Sequence, residues 1–305
     1  MTQTAITQTA RTIRFATVAR VATVIAAGAL AGVLAAPQDG NAAVLTTRSS
    51  TLFSLQNTAI LESSGVVASN GIYWTHNDGP ANKFYAVNSL GKTLASFATP
   101  GVPTTRSDWE DMSAGTDGNG KPALFFGDIG DNYRKRAEVA VIRVTKPALN
   151  PAKTDVAATA TAITRYRFAY PDGARDAESM AVQPGTNRIF IVDKAAGGDI
   201  YAAPLKPSTA GINKLVKIGH VAIPGATGMA FNADGTKLVI RQYKNAALYK
   251  VTNGDVAGAV KKAPIAFAMP SQRQGEAITF GPNGTTFVLT SEGARTPVLT
   301  QAVPA

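Results

Sequence analysis

Apolar residues in this chain fall into short blocks, each closed by Gly, Asn, Asp or Pro, and the order of the blocks repeats. One unit is a first apolar strand, a tight turn, a second apolar strand ending in polar residues, and a third strand. It recurs with first strands beginning at Ser64, Glu110, Glu178, Thr227 and Glu276. Asn70-Gly71, Asp234-Gly235 and Asn283-Gly284 separate the first two strands of three copies, and such dipeptides between β-branched runs are strong hairpin signals. A period of about fifty residues suits a four-stranded propeller blade. Fourth strands are expected at Thr93–Ala98, Thr161–Phe168, Leu215–Ile223 and Ile265–Ala268. The fifth copy runs out of chain, and Val44–Leu55 is placed to supply its last strand. The reading is an all-β, five-bladed β-propeller over residues 44–305, closed by pairing its N- and C-terminal segments, with a loop insertion between Pro147 and Ala160. A two-sheet sandwich of similar strand count is the alternative.

Composition narrows the setting. Hydrophobic residues make up 45% of the 305 and charged ones 16%, enough for a folded core. Cysteine is absent, so disulfides and thiolate zinc sites are excluded. With two histidines in the whole chain, a bound metal is expected to be hard and oxygen-ligated. The net charge of +10 raises a nucleic-acid partner, but no basic run exceeds Arg134-Lys135-Arg136, and none is expected. Residues 1–43 read as a secretory signal peptide: Arg11, Arg14 and Arg20, then an apolar run from Val21 to Ala36, then small residues with cleavage after Ala42 or Ala43. The expected mature protein is secreted, has no stable membrane insertion and carries a charge of +8. An uncleaved anchor is the rival reading, disfavoured by the shortness of the run.

Aligning the copies puts Ser64, Glu110, Glu178, Thr227 and Glu276 in one register. First strands line a propeller's channel, so these side chains are expected to converge. Three carboxylates in a confined space repel, which calls for a cation or raised pKa values. Oxygen-only ligands suit calcium, and the five are candidate ligands for it. Carboxylates bonded to channel waters are the alternative.

The stretches "SGVVASNGIYWTHND", "EDMSA", "LFFGDIGD", "ESMAV", "TGMAF" and "EAITF" resemble the calcium-activated nucleotidases of the apyrase type and the SdiA-regulated propellers. "DWEDMSAG", "GDIGDN" and "YPDGARDAES" are similar to secreted propellers of actinobacteria. The resemblance implies a channel calcium held by the same five register residues, with Thr227 a departure that keeps an oxygen ligand.

Second strands run back to the face where the register residues begin, so their ends should form a polar rim. That rim collects His76, Asp78, Asp128, Asp131, Asn132, Asp193, Lys194, Arg241 and Glu292 as candidate ligand-binding residues. Asp128 and Asp131 are the candidate general bases if a metal-bound water is activated there. No aromatic pair is placed to clamp a base, and His220 belongs to an outer strand, so neither a nucleotidase rim nor a Ser-His-Asp triad is supported. The expectation is a calcium-binding module or scaffold whose partner is a small molecule, glycan or peptide. Calcium-dependent hydrolysis of a phosphoester or nucleotide is the alternative.

Overall fold

The computed structural model describes residues 44–79, 83–195 and 198–305; the expected signal peptide lies outside the described residues. The chain is a five-bladed β-propeller. Blade 1 consists of Ser63–Ser69, Ile72–Asn77, Lys83–Asn88 and Thr93–Ala98; blade 2 of Trp109–Thr116, Pro122–Asp128, Val139–Thr145 and Ile163–Ala169. Blade 3 runs through Ala177–Val182, Ile189–Asp193, Asp199–Ala202 and Val216–His220. Blade 4 is Gly228–Phe231, Lys237–Arg241, Asn245–Lys250 and Ile265–Ala268, with a one-turn helix at Val256–Val260 before its last strand. Blade 5 takes Gly275–Phe280, Thr286–Ser291 and Pro297–Ala302 from the end of the chain and Ser49–Ser54 from its beginning.

Closure occurs where the sequence placed it. Ser49 pairs with Gln301 and Ser54 with Pro297, so no edge is left open between the two chain ends. The five first strands touch in a closed circle, each against the first strand of the next blade.

Five apolar clusters sit one at each interface between neighbouring blades. Successive residues on one strand feed different clusters: Phe125 and Val141 pack toward blade 3, while Phe126 and Ile142 pack toward blade 1. This is why the strands read as continuous apolar runs rather than alternating ones: both faces are buried. Burying each large side chain contributes about 1.5–3 kcal/mol.

The insertion differs from the expected loop. Val156–Thr159 forms a strand parallel to Thr93–Ala98, extending blade 1 to five strands. Ile212–Lys214 does the same for blade 2 by lying parallel to Ile163–Ala169. Both additions cover outer-strand edges whose backbone groups would otherwise go unpaired. Among the described residues, no helix is long and apolar enough to cross a membrane.

Candidate functional site

The first strands carry a β-bulge at the register residue in four blades. Ser63 pairs with Asn77 and Gly65 with His76, leaving Ser64 as the extra residue. Glu110 is skipped between Trp109 and Asp111, and Glu178 between Ala177 and Ser179. In blade 5 the shift falls between Gly275 and Ile278, around Glu276. A bulge turns one side chain out of the alternating pattern, and bulges are common beside sites. Thr227 does the same work just before its strand, where its N–H donates to the Arg241 carbonyl.

The five register residues do not share one environment. The Ser64 hydroxyl donates to the Glu110 carbonyl at 2.5 Å. The Thr227 hydroxyl donates to the carbonyls of Gly275 and Glu276, each at 3.2 Å. Both hydroxyls thus tie one blade to the next. Glu178 forms an ion pair with Lys194, whose ammonium also lies over the Tyr243 ring. Glu276 is buried beside Arg241.

Glu110 has a different set of neighbours. Oxygens of Asp78, Asp108 and Glu110 lie within 4.8 Å of one another, at the junction of blades 1 and 2. Asp78 is brought there by the end of the second strand of blade 1, its N–H donating to the Glu62 carbonyl. Asp108 is fixed by its own N–H on Asp128 and by its carbonyl, which accepts from Ile129 and Gly130. Asp78 Oδ1 is buried and has no hydrogen-bond partner. Gly130 lies so close that a Cβ there would strike the carboxylates of Glu110 and Asp108.

Burial pushes Glu110 well above the ordinary carboxylate range, and the charges of Asp78, Glu178, Asp108 and Asp176 push it further. Asp78 rises for the same reasons, with Asp108 its strongest charged neighbour. Burial also raises Asp108, against the pull of Arg136. Burial takes Glu178 to about 7 although Lys194 opposes it. Three carboxylates, a buried oxygen without a donor and a glycine that lets two of those carboxylates approach the backbone fit a hard, oxygen-ligated cation.

Several rim candidates are placed elsewhere. His76 is fully buried, its ring edge-on to Trp109 and Phe126, and its Nδ1 bonds the Asn77 carbonyl. Burial lowers its pKa to about 4, so it is a neutral core residue. Gly65 is required beside it, because a Cβ there would stand 2.6 Å from His76 Nε2. Arg241 is also enclosed, donating to Gln272 and to the Ala277 carbonyl. Asp193 is buried, accepting from the Asp199 N–H.

Asp128 is paired with Arg136 at 2.9 Å, and Asp131 accepts the Arg136 N–H. Asp131 donates its own N–H to Asp176. Asp128, Asp131 and Asn132 all border a cleft of about 830 Å³ whose wall also includes Asp108. Asp78, Lys194 and Glu292 are half-buried, and Glu292 accepts from Gln274.

Two carboxylates at the candidate site were not anticipated from the sequence. Asp108 stands two residues before Glu110, as Asp176 does before Glu178, and this Asp-x-Glu spacing was the available signal. Asp111 gave no signal. Its carboxylate accepts from the N–H groups of Met112, Met180 and Met229, joining blades 2, 3 and 4 at the axis.

No protein-family model matches the chain, and no curated protein does. A solved gluconolactonase from Xanthomonas campestris is similar in structure over 79% of this chain and 72% of its own, at 12% identity and a TM-score of 0.45.

Proposed function

We propose that the protein is a secreted propeller that holds a divalent cation, calcium by ligand chemistry, at Asp78, Asp108 and Glu110, and captures a small molecule, glycan or peptide beside it. The observation that carries this reading is the acidic triad, with Glu110 buried, an unpartnered Asp78 oxygen, and Gly130 packed against two of its carboxylates where no side chain fits. The resemblance of the register motifs to calcium-binding propellers points the same way, as do the chemistry of three oxygen ligands and the near-absence of histidine. Secretion rests on the basic and apolar leader in residues 1–43.

Binding rather than hydrolysis is favoured by the state of the two candidate bases. Asp128 is neutralised by Arg136, and Asp131 is held by backbone N–H contact. A general base must reach the water it activates, and each of these carboxylates already has an oxygen committed to Arg136. The test is a calcium titration followed by calorimetry and thermal unfolding, on wild type and Glu110→Gln. A cation bound by the folded state raises its stability by mass action. Absence of any calcium effect on wild type would sink the reading. Calcium-dependent turnover of a phosphoester at an enzymatic rate would replace the binding module with the hydrolase.

A further inference from the structure

The geometry points to a ligand class for the cleft beside the triad: an acidic sugar, many hydroxyls with a single carboxylate. This deepens the proposed function and rests on the triad only for its calcium dependence. At about 830 Å³ the cleft is of the size that encloses small ligands. Its cations are Arg106, Lys135, Arg136 and Arg165, and its carboxylates are Asp108, Asp128, Asp131 and Glu138.

The pairing of those charges leaves a definite remainder. Arg136 neutralises Asp128, and Glu138 is shared by Arg165 and Arg167. Among the described residues, Arg106 and Lys135 have no carboxylate partner. Asp108 belongs to the triad, and Asp131 already accepts a backbone N–H. The seat therefore favours a ligand of low negative charge. A polyphosphate would bring several charges against Asp108 and Asp131, whereas one carboxylate meets the two unpaired cations.

The remaining lining suits hydroxyl groups. Thr105 and Asn132 offer both donors and acceptors. Tyr133 is 82% exposed, with the Lys135 ammonium 5.7 Å from its ring, a flat surface for the apolar face of a sugar. Arg106 holds φ at 58°, a left-handed conformation that fixes the course of the loop from which its side chain reaches the cleft. Gly130 lines this cleft and abuts the triad carboxylates, so a ligand here lies against the cation site.

The experiment is calorimetry of the purified protein with an aldobiouronic acid, its methyl ester and ADP, each with calcium and with chelator. The acid should bind, the ester should be weaker by about tenfold or more, and ADP should not compete; one charge-assisted contact is worth about that factor. Arg106→Ala and Lys135→Ala should each weaken the acid about tenfold while leaving calcium affinity unchanged. Acid and ester binding equally, or no acid binding, would overturn the inference. ADP binding in place of the acid would overturn it too, in favour of a polyanion seat. If the acid binds while calcium does not, the cleft stands and the cation reading falls. If calcium binds and the acid does not, the reverse holds.

Discussion

Two sides of the propeller mouth bury carboxylates, and they resolve the cost differently. On the side of blades 3 to 5, Glu178 is ion-paired with Lys194, and the charges of Arg241 and Lys194 oppose the effect of burial on Glu276. On the side of blades 1 and 2, Asp78, Asp108 and Glu110 stand together, and among the described residues none of the three makes an ion pair. Arg136, the nearest cation to Asp108, is committed to Asp128. An uncompensated buried charge is expensive, and a group in that position neutralises or acquires a counter-ion. The difference between the sides teaches where a proton or the proposed cation has a place: Glu178 has a cation from the chain, and the triad has none paired with it.

The largest expected effect is on the open side. Asp108→Asn removes one of three charged ligands while its backbone contacts to Asp128, Ile129 and Gly130 remain. Calcium affinity should fall by about 100-fold or more in calorimetry, since affinity follows the charge count of the ligand set. Retention of wild-type affinity would break the comparison at its root.

Next in size is a change that makes the closed side resemble the open one. Lys194→Met leaves Glu178 buried without its cation. The pair is partly exposed, so the expected loss is about 1–2 kcal/mol, or several degrees in Tm for a chain of this size. Chelation should not enlarge that loss if the calcium site is confined to blades 1 and 2.

The same pair gives a pH dependence. Folding raises Glu178 from 4.5 to about 7, so the folded state holds this proton more tightly than the unfolded one. That contribution is fully present at pH below about 4.5 and is lost as pH rises toward 7. Chelated protein should therefore lose Tm across this window. Lys194→Met should extend the loss to higher pH, because the charge that held the value down is gone. A flat profile in both proteins would show Glu178 to be ionised throughout.

The fold was legible because the repeat is written in short apolar runs, and those runs exist because both faces of each strand pack between blades. Ring closure was legible for a similar reason: the fifth copy lacked a strand and Val44–Leu55 had strand composition. The site was half legible. The register exposed Glu110, and the rim reading included Asp78, but their meeting point depends on which blade's second strand ends over which neighbour's bulge. That crossing is set by tertiary packing. His76 shows the opposite error: a polar residue at a strand end read as rim, yet it fills the space between Gly65, Trp109 and Phe126. The two edge strands from connecting segments were illegible, because Val156–Thr159 and Ile212–Lys214 are too short to carry a pattern.

The smallest expected effect decides between the triad and the full register ring. Ser64→Ala and Thr227→Ala each remove a hydroxyl that donates to a neighbouring blade's carbonyl. Each should cost about 1 kcal/mol in stability, the ordinary net value of such a bond. If the cation is held by Asp78, Asp108 and Glu110, calcium affinity should change by no more than about twofold, because no charged ligand is removed. A hydroxyl that donates to a carbonyl still has lone pairs free, so its bonding alone does not prevent it from ligating a cation. The measurement is calcium calorimetry on both variants at matched Tm margins. A tenfold or larger loss in both would move the cation from the blade 1–2 junction to the channel axis, where Ser64, Glu110, Glu178, Thr227 and Glu276 form the ligand set. In that case Lys194 would have to release Glu178 on binding, and Lys194→Met should then tighten calcium rather than leave it unchanged. The two variants read together fix the ion's position without reference to any bound ligand.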